Sequence, residues 1–255
     1  MSLAACAQLV ERADPERFRA IMAAPVAARR VLFPVFAFNV EVARAPWVTQ
    51  EAMIAEMRLQ WWRDALEEIG AGGPARRHEV VDALAAVLDA EGARDLDRLV
   101  AARRWDIYKD SFENEAHLYD YLDATSAAPI WTAARLLGPV DETVVRDFGQ
   151  AVGIANLLRA AATLDTLGRK PLLDGRPDGI RRLAREGVGK LDRAARARGQ
   201  VSKAAGAALL TGWMARPLLT RAARTPSAVA DGDLTIGPAR QALRLAKVSV
   251  GGWWR

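Results

Sequence analysis

Cysteine occurs once in the 255 residues, at Cys6, and histidine twice, at His78 and His117. One thiol excludes a disulfide framework, a cysteine-based zinc site and an iron–sulfur cluster, and two imidazoles exclude a histidine-rich metal site. Long apolar runs are missing too. The longest stretch without a charge, residues 204–215, is shorter than the roughly 18 residues that a bilayer span needs. The first residues, MSLAACAQLVERADPERFR, carry acids early and lack a basic start followed by an apolar run, so no secretory signal is expected. No stretch alternates apolar and polar residues as a half-buried strand does. There is no Walker A loop, no dinucleotide glycine fingerprint after a strand, no HExxH and no GxSxG.

What is present is apolar, basic and helical. Hydrophobic residues make up 51% of the chain, enough to exclude general disorder, and the length allows one large domain or two small ones. The net charge of +5 is uneven: residues 1–165 mix both signs, whereas 166–255 are Arg-rich. Arg far outnumbers Lys and Ala is abundant, as a GC-rich genome would produce unaided; the same excess would suit nucleic acid, an anionic membrane or a diphosphate. No nucleic-acid motif accompanies it, so nucleic acid is set aside as a partner.

Helical spacing predicts the elements. Ile54, Met57, Trp61, Ala65 and Ile69 share a face, with Thr49 as N-cap, Glu51 in the first turn and Gly70 as stop. Val80, Leu84, Val87 and Leu88 form the next stripe, ended by Gly92; Leu96, Leu99, Val100, Arg103 and Ile107 follow, then Leu118, Tyr121, Leu122 and Thr125. Asp141 caps a run through Val144, Val145, Phe148 and Val152 to Leu157 or Leu158, and later runs cover 179–212 and 236–250. Pro129 predicts a kink or boundary. Breaks fall at Pro46, 70–74, Gly92, 138–139, 168–177 and 225–232, none of them a flexible linker. The reading is an all-α chain, 1–255, forming one domain of eight to ten helices. Cys6 is placed at a frayed terminus and both histidines at the surface.

Two segments carry chemistry: FPVFAFNVEVARAPWVTQEAMIAEMRLQWWRDALEEI, residues 33–69, and GQAVGIANLLRAAATLDTLGRKPLL, residues 149–173. With ARRWDIY at 102–108 and the Tyr121, Thr125, Ser126 pattern between them, they resemble the squalene/phytoene synthase family, over residues 15–175. The phrase from Arg58 to Leu66, RLQWWRDAL, is the most specific element. The resemblance implies the helical isoprenoid synthase fold. It also implies a site in which two DxxxD motifs on facing helices hold Mg²⁺ against two prenyl diphosphates. Asp at i and i+4 shares a helix face, and Mg²⁺ takes hard oxygen ligands.

All four aspartates are missing. The first motif's positions read Ala43 and Trp47, the second's Ala160 and Leu164. None offers a ligand oxygen, and Arg44 would repel a cation. Glu41 and Asp165 lie nearby but off register. The expected cofactor is therefore none, with Mg²⁺ only if prenyl-diphosphate chemistry survives. Substrate-binding positions carried over from the family are Glu41, Arg44, Arg63, Tyr121, Asn156 and Arg159. Arg44, Arg63 and Arg159 together would make a metal-free cationic pocket; alternatively Arg63 pairs with Glu41 or Glu67 and ties helices together. Phe33, Phe36, Phe38, Trp61 and Trp62 read either as a vestigial prenyl tunnel or as core.

Loss of both motifs, with FNVEVAR in place of the first, resembles the branch of the family that includes assembly factors for respiratory complex I. The resemblance to that branch implies action through a protein partner, a respiratory complex subunit in the branch's own pattern, or through a lipid, rather than bond-making. The alternative is a prenyl-diphosphate-binding protein or a prenyltransferase with an altered, metal-poor site. Residues 239–255, ARQALRLAKVSVGGWWR, add basic residues and terminal Trp253 and Trp254, which suit an anionic bilayer interface unless the tryptophans dock on the domain. The location expected is cytoplasmic, peripheral on the inner face of the membrane.

Overall fold

The computed structural model describes residues 2–255, and among them there is no β-sheet, only an isolated antiparallel bridge between Val140 and Val201. The helices in chain order are α1 (Ser2–Ala13), α2 (Pro15–Ala23), α3 (Arg29–Arg44), α4 (Ala52–Gly70), α5 (Glu79–Ala85), α6 (Ala90–Arg103), α7 (Trp105–Tyr108) and α8 (Glu115–Leu122). They continue as α9 (Ala128–Leu137), α10 (Glu142–Thr166), α11 (Pro177–Arg196), α12 (Gly206–Leu209), α13 (Ala215–Arg224), α14 (Ser227–Ala230) and α15 (Pro238–Gly251). Eleven of them have eight residues or more, one above the predicted range; the excess comes from breaks that periodicity alone runs through.

Two helices supply much of the core. In α3 every residue from Val31 to Phe38 is buried, and in α10 Val144, Val145, Phe148, Ala151, Val152, Ile154, Ala155 and Leu158 are buried. Such wide apolar faces must be covered by neighbouring helices. The π-helical turn Asp123–Ala127 lies tight against α10: a Cβ on Gly149 would stand 2.4 Å from the Ala127 Cα, and one on Gly153 would stand 3.0 Å from the Ser126 Cβ. Glycine at i and i+4 lets these backbones touch.

Several boundaries differ from the sequence reading, each for a local reason. The cap of α4 is Glu51, not Thr49, whose hydroxyl accepts from the Glu51 N–H at 3.1 Å. Gly92 is not a stop. It lies in the first turn of α6, where Asp89 accepts its N–H at 2.8 Å, and a Cβ there would meet Leu88 at 2.6 Å. The α10 run passes Leu158 and ends at Thr166. Pro129 does mark a boundary, between the π-helical turn and α9. Cys6 is not frayed but wholly buried within α1, and burial pushes its thiol up to about 11. His78 caps α5, its Nδ1 accepting from the Val80 N–H at 3.2 Å.

The chain's end folds back. Trp253 is 6% exposed and meets Phe148 edge-on at 5.3 Å, while Trp254 is half-buried beneath Arg198. The tryptophans therefore belong to the domain, the alternative the sequence left open beside a lipid interface. They are large apolar rings, and Gly206, where a Cβ would lie 3.2 Å from the Trp253 ring, leaves room for one of them.

Candidate functional site

A cavity of about 620 Å³ opens between α2, the C-terminal end of α3, the π-helical turn, α10 and residues 211–218. Ala43, Trp47, Ala160 and Leu164 all line it, so the two lost-motif positions on each side face one another across one space. Tyr121, Asn156 and Arg159 line it as well. Glu41, Arg44 and Arg63 do not.

Arg63 makes a two-pronged pair with Asp97 of α6, at 2.6 and 2.9 Å, and lines an outer groove with Gln60 and Arg94. Its partner is neither Glu41 nor Glu67, because α6 packs on that side of α4 and brings Asp97 to it. Arg44 leans on Glu41 at 3.6 Å with its side chain 56% exposed. The three-arginine pocket is thus not assembled. Phe33, Phe38 and Trp62 are core, Trp61 packs at its edge, and of the five aromatics only Phe36 reaches the cavity.

The polar groups that do converge come from elsewhere. At one end the Tyr121 hydroxyl donates to Asp106 at 2.8 Å, while Arg103 donates to Asp106 at 2.9 Å and to the Tyr121 oxygen at 2.8 Å. Burial opposes charge on Arg103, yet Tyr121 and Asp106 more than offset it and hold the guanidinium charged. Burial, with Asp106 beside it, also pushes the Tyr121 hydroxyl far above its ordinary range. Arg169, buried, donates to the Asp106 carbonyl and lays its guanidinium 4.4 Å from the Trp47 ring centre. The side chain at a lost aspartate position therefore clasps an arginine instead of a metal ion.

At the other end Asp14 caps α2 and pairs with Arg17 at 3.0 Å, and Arg17 stands over the Phe36 ring at 4.7 Å. Arg159 pairs with Glu16 at 2.7 Å and donates to Asn156 at 3.3 Å. Three buried polar atoms of the lining, Arg17 Nε, Asn39 Oδ1 and Arg103 Nε, have no partner within the protein. Arg103 and Asp106 stood in the quoted ARRWDIY segment at helical spacing, a legible signal; Asp14, Glu16, Arg17, Asn39 and Arg169 carried none that sequence reasoning used.

The donor set does not suit a Mg²⁺ cluster. Ala43, Trp47, Ala160 and Leu164 have no oxygen to offer, and neither Glu41 nor Asp165 lines the cavity. The carboxylates that do, Asp14, Glu16 and Asp106, are each held by an arginine. Among the described residues no three His, Cys, Asp or Glu side chains are grouped as a metal site requires.

The sequence profile described as squalene/phytoene synthase matches residues 10–174. Of curated proteins, "NADH dehydrogenase (ubiquinone) complex I, assembly factor 6" of Homo sapiens is 26% identical over 159 residues, covering 61% of this chain and 48% of that one. The Drosophila melanogaster homolog of that factor is 32% identical over 165 residues, covering 61% and 49%. The chain thus spans about half the length of the curated relatives it matches. Of solved structures, a dehydrosqualene synthase in complex with ligand superposes with a TM-score of 0.82 at 14% identity, over 98% of this chain and 96% of that one. Squalene synthase HpnC from Alicyclobacillus acidocaldarius superposes with a TM-score of 0.73 at 18% identity, over 89% and 94%. These two likenesses establish a shared isoprenoid synthase fold.

Proposed function

The chain belongs to the squalene/phytoene synthase family, and from that membership we propose that it is a non-catalytic member acting by binding, in the assembly of a respiratory complex. One observation carries the reading: the cavity keeps its place and frame while all four metal-bearing positions are Ala43, Trp47, Ala160 and Leu164. Metal-assisted departure of a diphosphate needs charge placed where charge develops, and apolar side chains there supply none. The relatives named as complex I assembly factors support the role and suggest a partner among the subunits of such a complex.

The working location is cytoplasmic and peripheral, on the inner face of the membrane where such a complex is built. No helix among the described residues is long and apolar enough to cross a membrane. The test is removal of the chain from its host. We expect fewer assembled complexes, and co-purification of the tagged chain with one or more subunits. Normal assembly in its absence would overturn the role.

A second reading is favoured by a specific observation: Arg17, Arg103 and Arg159 line the cavity, and the buried Arg17 Nε and Arg103 Nε have no partner within the protein, so cationic side chains with unused donors surround a space that an anionic headgroup could enter. On that reading the chain binds a prenyl diphosphate, through Tyr121, Asn156 and Arg159 of the positions carried over from the family. Titration with farnesyl and geranylgeranyl diphosphate, with and without Mg²⁺, separates the two. Micromolar binding, whether or not Mg²⁺ strengthens it, favours the second reading; absence of binding leaves the scaffold.

A further inference from the structure

Helix α15 turns one face into the domain. Val248 is fully buried, the Gln241 amide accepts from Arg19 at 3.0 Å and donates to the Ile236 carbonyl at 2.8 Å, and Arg244 Nε donates to the Trp213 carbonyl at 3.2 Å. Beyond the helix, buried Trp253 pins the end of the chain against Phe148. These contacts fix how the helix is rotated about its axis.

At 3.6 residues per turn the opposite side carries Ala239, Leu243, Ala246 and Val250, all exposed. Leu243 is 73% exposed and Val250 92%, the highest value for any large apolar side chain among the described residues. Arg240 and Lys247, two turns apart and both exposed, run along one edge of this stripe. Residues 234–255 contain no Asp or Glu. An apolar stripe beside a basic edge, with no acid to offset it, is the pattern of a helix lying in a membrane interface.

We propose that this outward face of α15 docks on an anionic membrane surface, the helix axis parallel to the bilayer plane. Leu243 and Val250 enter the headgroup–acyl boundary, and Arg240 and Lys247 reach lipid phosphates. Charge and area together select lipid over a folded protein. The stripe holds two large apolar residues and two alanines, far short of the roughly 1,200–2,000 Å² buried in a stable protein interface. An anionic leaflet, by contrast, attracts each nearby basic residue by about fivefold in affinity and asks only for shallow apolar insertion. The inference stands apart from the assembly role, because the surface would serve any peripheral protein.

The test is co-sedimentation of the full chain with vesicles of phosphatidylcholine alone and with about one third phosphatidylglycerol. Binding is expected only to the anionic vesicles, falling steeply with salt. Arg240→Glu/Lys247→Glu should weaken it at least about twentyfold, since both attractions are lost. Leu243→Ser/Val250→Ser should weaken it several-fold and leave a remainder that salt abolishes completely, because the apolar part is the one salt does not screen. All four positions are exposed, so the variants should melt as the parent does. Arg185→Glu/Arg224→Glu, on exposed residues of α11 and α13, alters net charge equally and should change binding little. Equal losses in the two charge variants would overturn the proposal in favour of general adsorption. Failure of the parent to bind anionic vesicles, or parental binding by the α15 variants, would overturn it too. The assay contains no respiratory subunit, so its failure is distinct from failure of the assembly role.

Discussion

The Cys6 thiol has no water around it to stabilise a thiolate. Desolvation, with Glu79 adding like charge, raises it to about 11, so at neutral pH it is neutral and inert. A thiol reagent at pH 8 should leave the native protein unmodified over hours and label it within minutes in denaturant. Asp89 shows the opposite shift. Its hydrogen bonds from Arg135, then from the Gly92 N–H, hold its carboxyl down to about 2, against an ordinary 3.8. Because the folded-state value is depressed, the stabilisation is present above about pH 4 and is lost as the pH falls towards 2. Arg135 supplies the larger part of that shift and the cap bond from Gly92 the rest, with the contribution of the ion pair reduced by solvent screening because the Asp89 side chain is half exposed. Asp89→Ala should therefore cost about 1–2 kcal/mol at pH 7, read by denaturant unfolding, and the gap from the parent should close between pH 4 and 2. Trp47 and Arg169 couple in the same local way: Trp47→Ala should lower the melting midpoint by about 2–4 °C through loss of the stacking.

Elements show where sequence suffices and where it does not. Helix types and faces followed from spacing, because apolar residues at 3.6-residue intervals must find a common core, and Asp141 was recognisable as a cap that accepts the Val144 N–H at 3.1 Å. Caps such as Glu51 and breaks such as residues 86–89 escaped, since they depend on which backbone N–H groups tertiary packing leaves unpaired. Gly149 and Gly153 were visible in the sequence, but their purpose was not until Ala127 and Ser126 were seen against them. Gly149→Ala should force α10 from the π-helical turn and cost about 1–3 kcal/mol or more in thermal or denaturant unfolding. The end of α3 matters for chemistry. The helix stops at Arg44 and continues as a 3₁₀ turn, Ala45–Trp47, around buried Pro46. Residues 43 and 47 both line the cavity, but across a junction of α-helix and 3₁₀ turn rather than along a regular α-helical turn. Restoring Asp at 43, 47, 160 and 164 together should yield no prenyltransferase activity in a Mg²⁺ assay.

Across the whole molecule, α3 and α10 keep the family's frame while the side chains that face one another across the cavity from their ends, Ala43, Trp47, Ala160 and Leu164, are apolar. The frame was legible because RLQWWRDAL and GQAVGIANLLR are long and specific. The content of the cavity was legible only in part. Ala43, Ala160 and Asn156 line it, but Arg63 turned outward to Asp97, Arg17 arrived from a segment carrying no motif, and Asn39 and Arg169 stood inside the two quoted segments without a pattern to mark them. Long-range convergence of single polar residues leaves no periodic trace in one sequence. The central claim is that this frame has lost its metal-dependent chemistry. The most direct measurement is incubation of the purified full chain with farnesyl or geranylgeranyl diphosphate and Mg²⁺ or Mn²⁺, followed by hydrocarbon analysis. The account predicts no head-to-head product above the protein-free control. A squalene-like or phytoene-like hydrocarbon formed over many turnovers would contradict it.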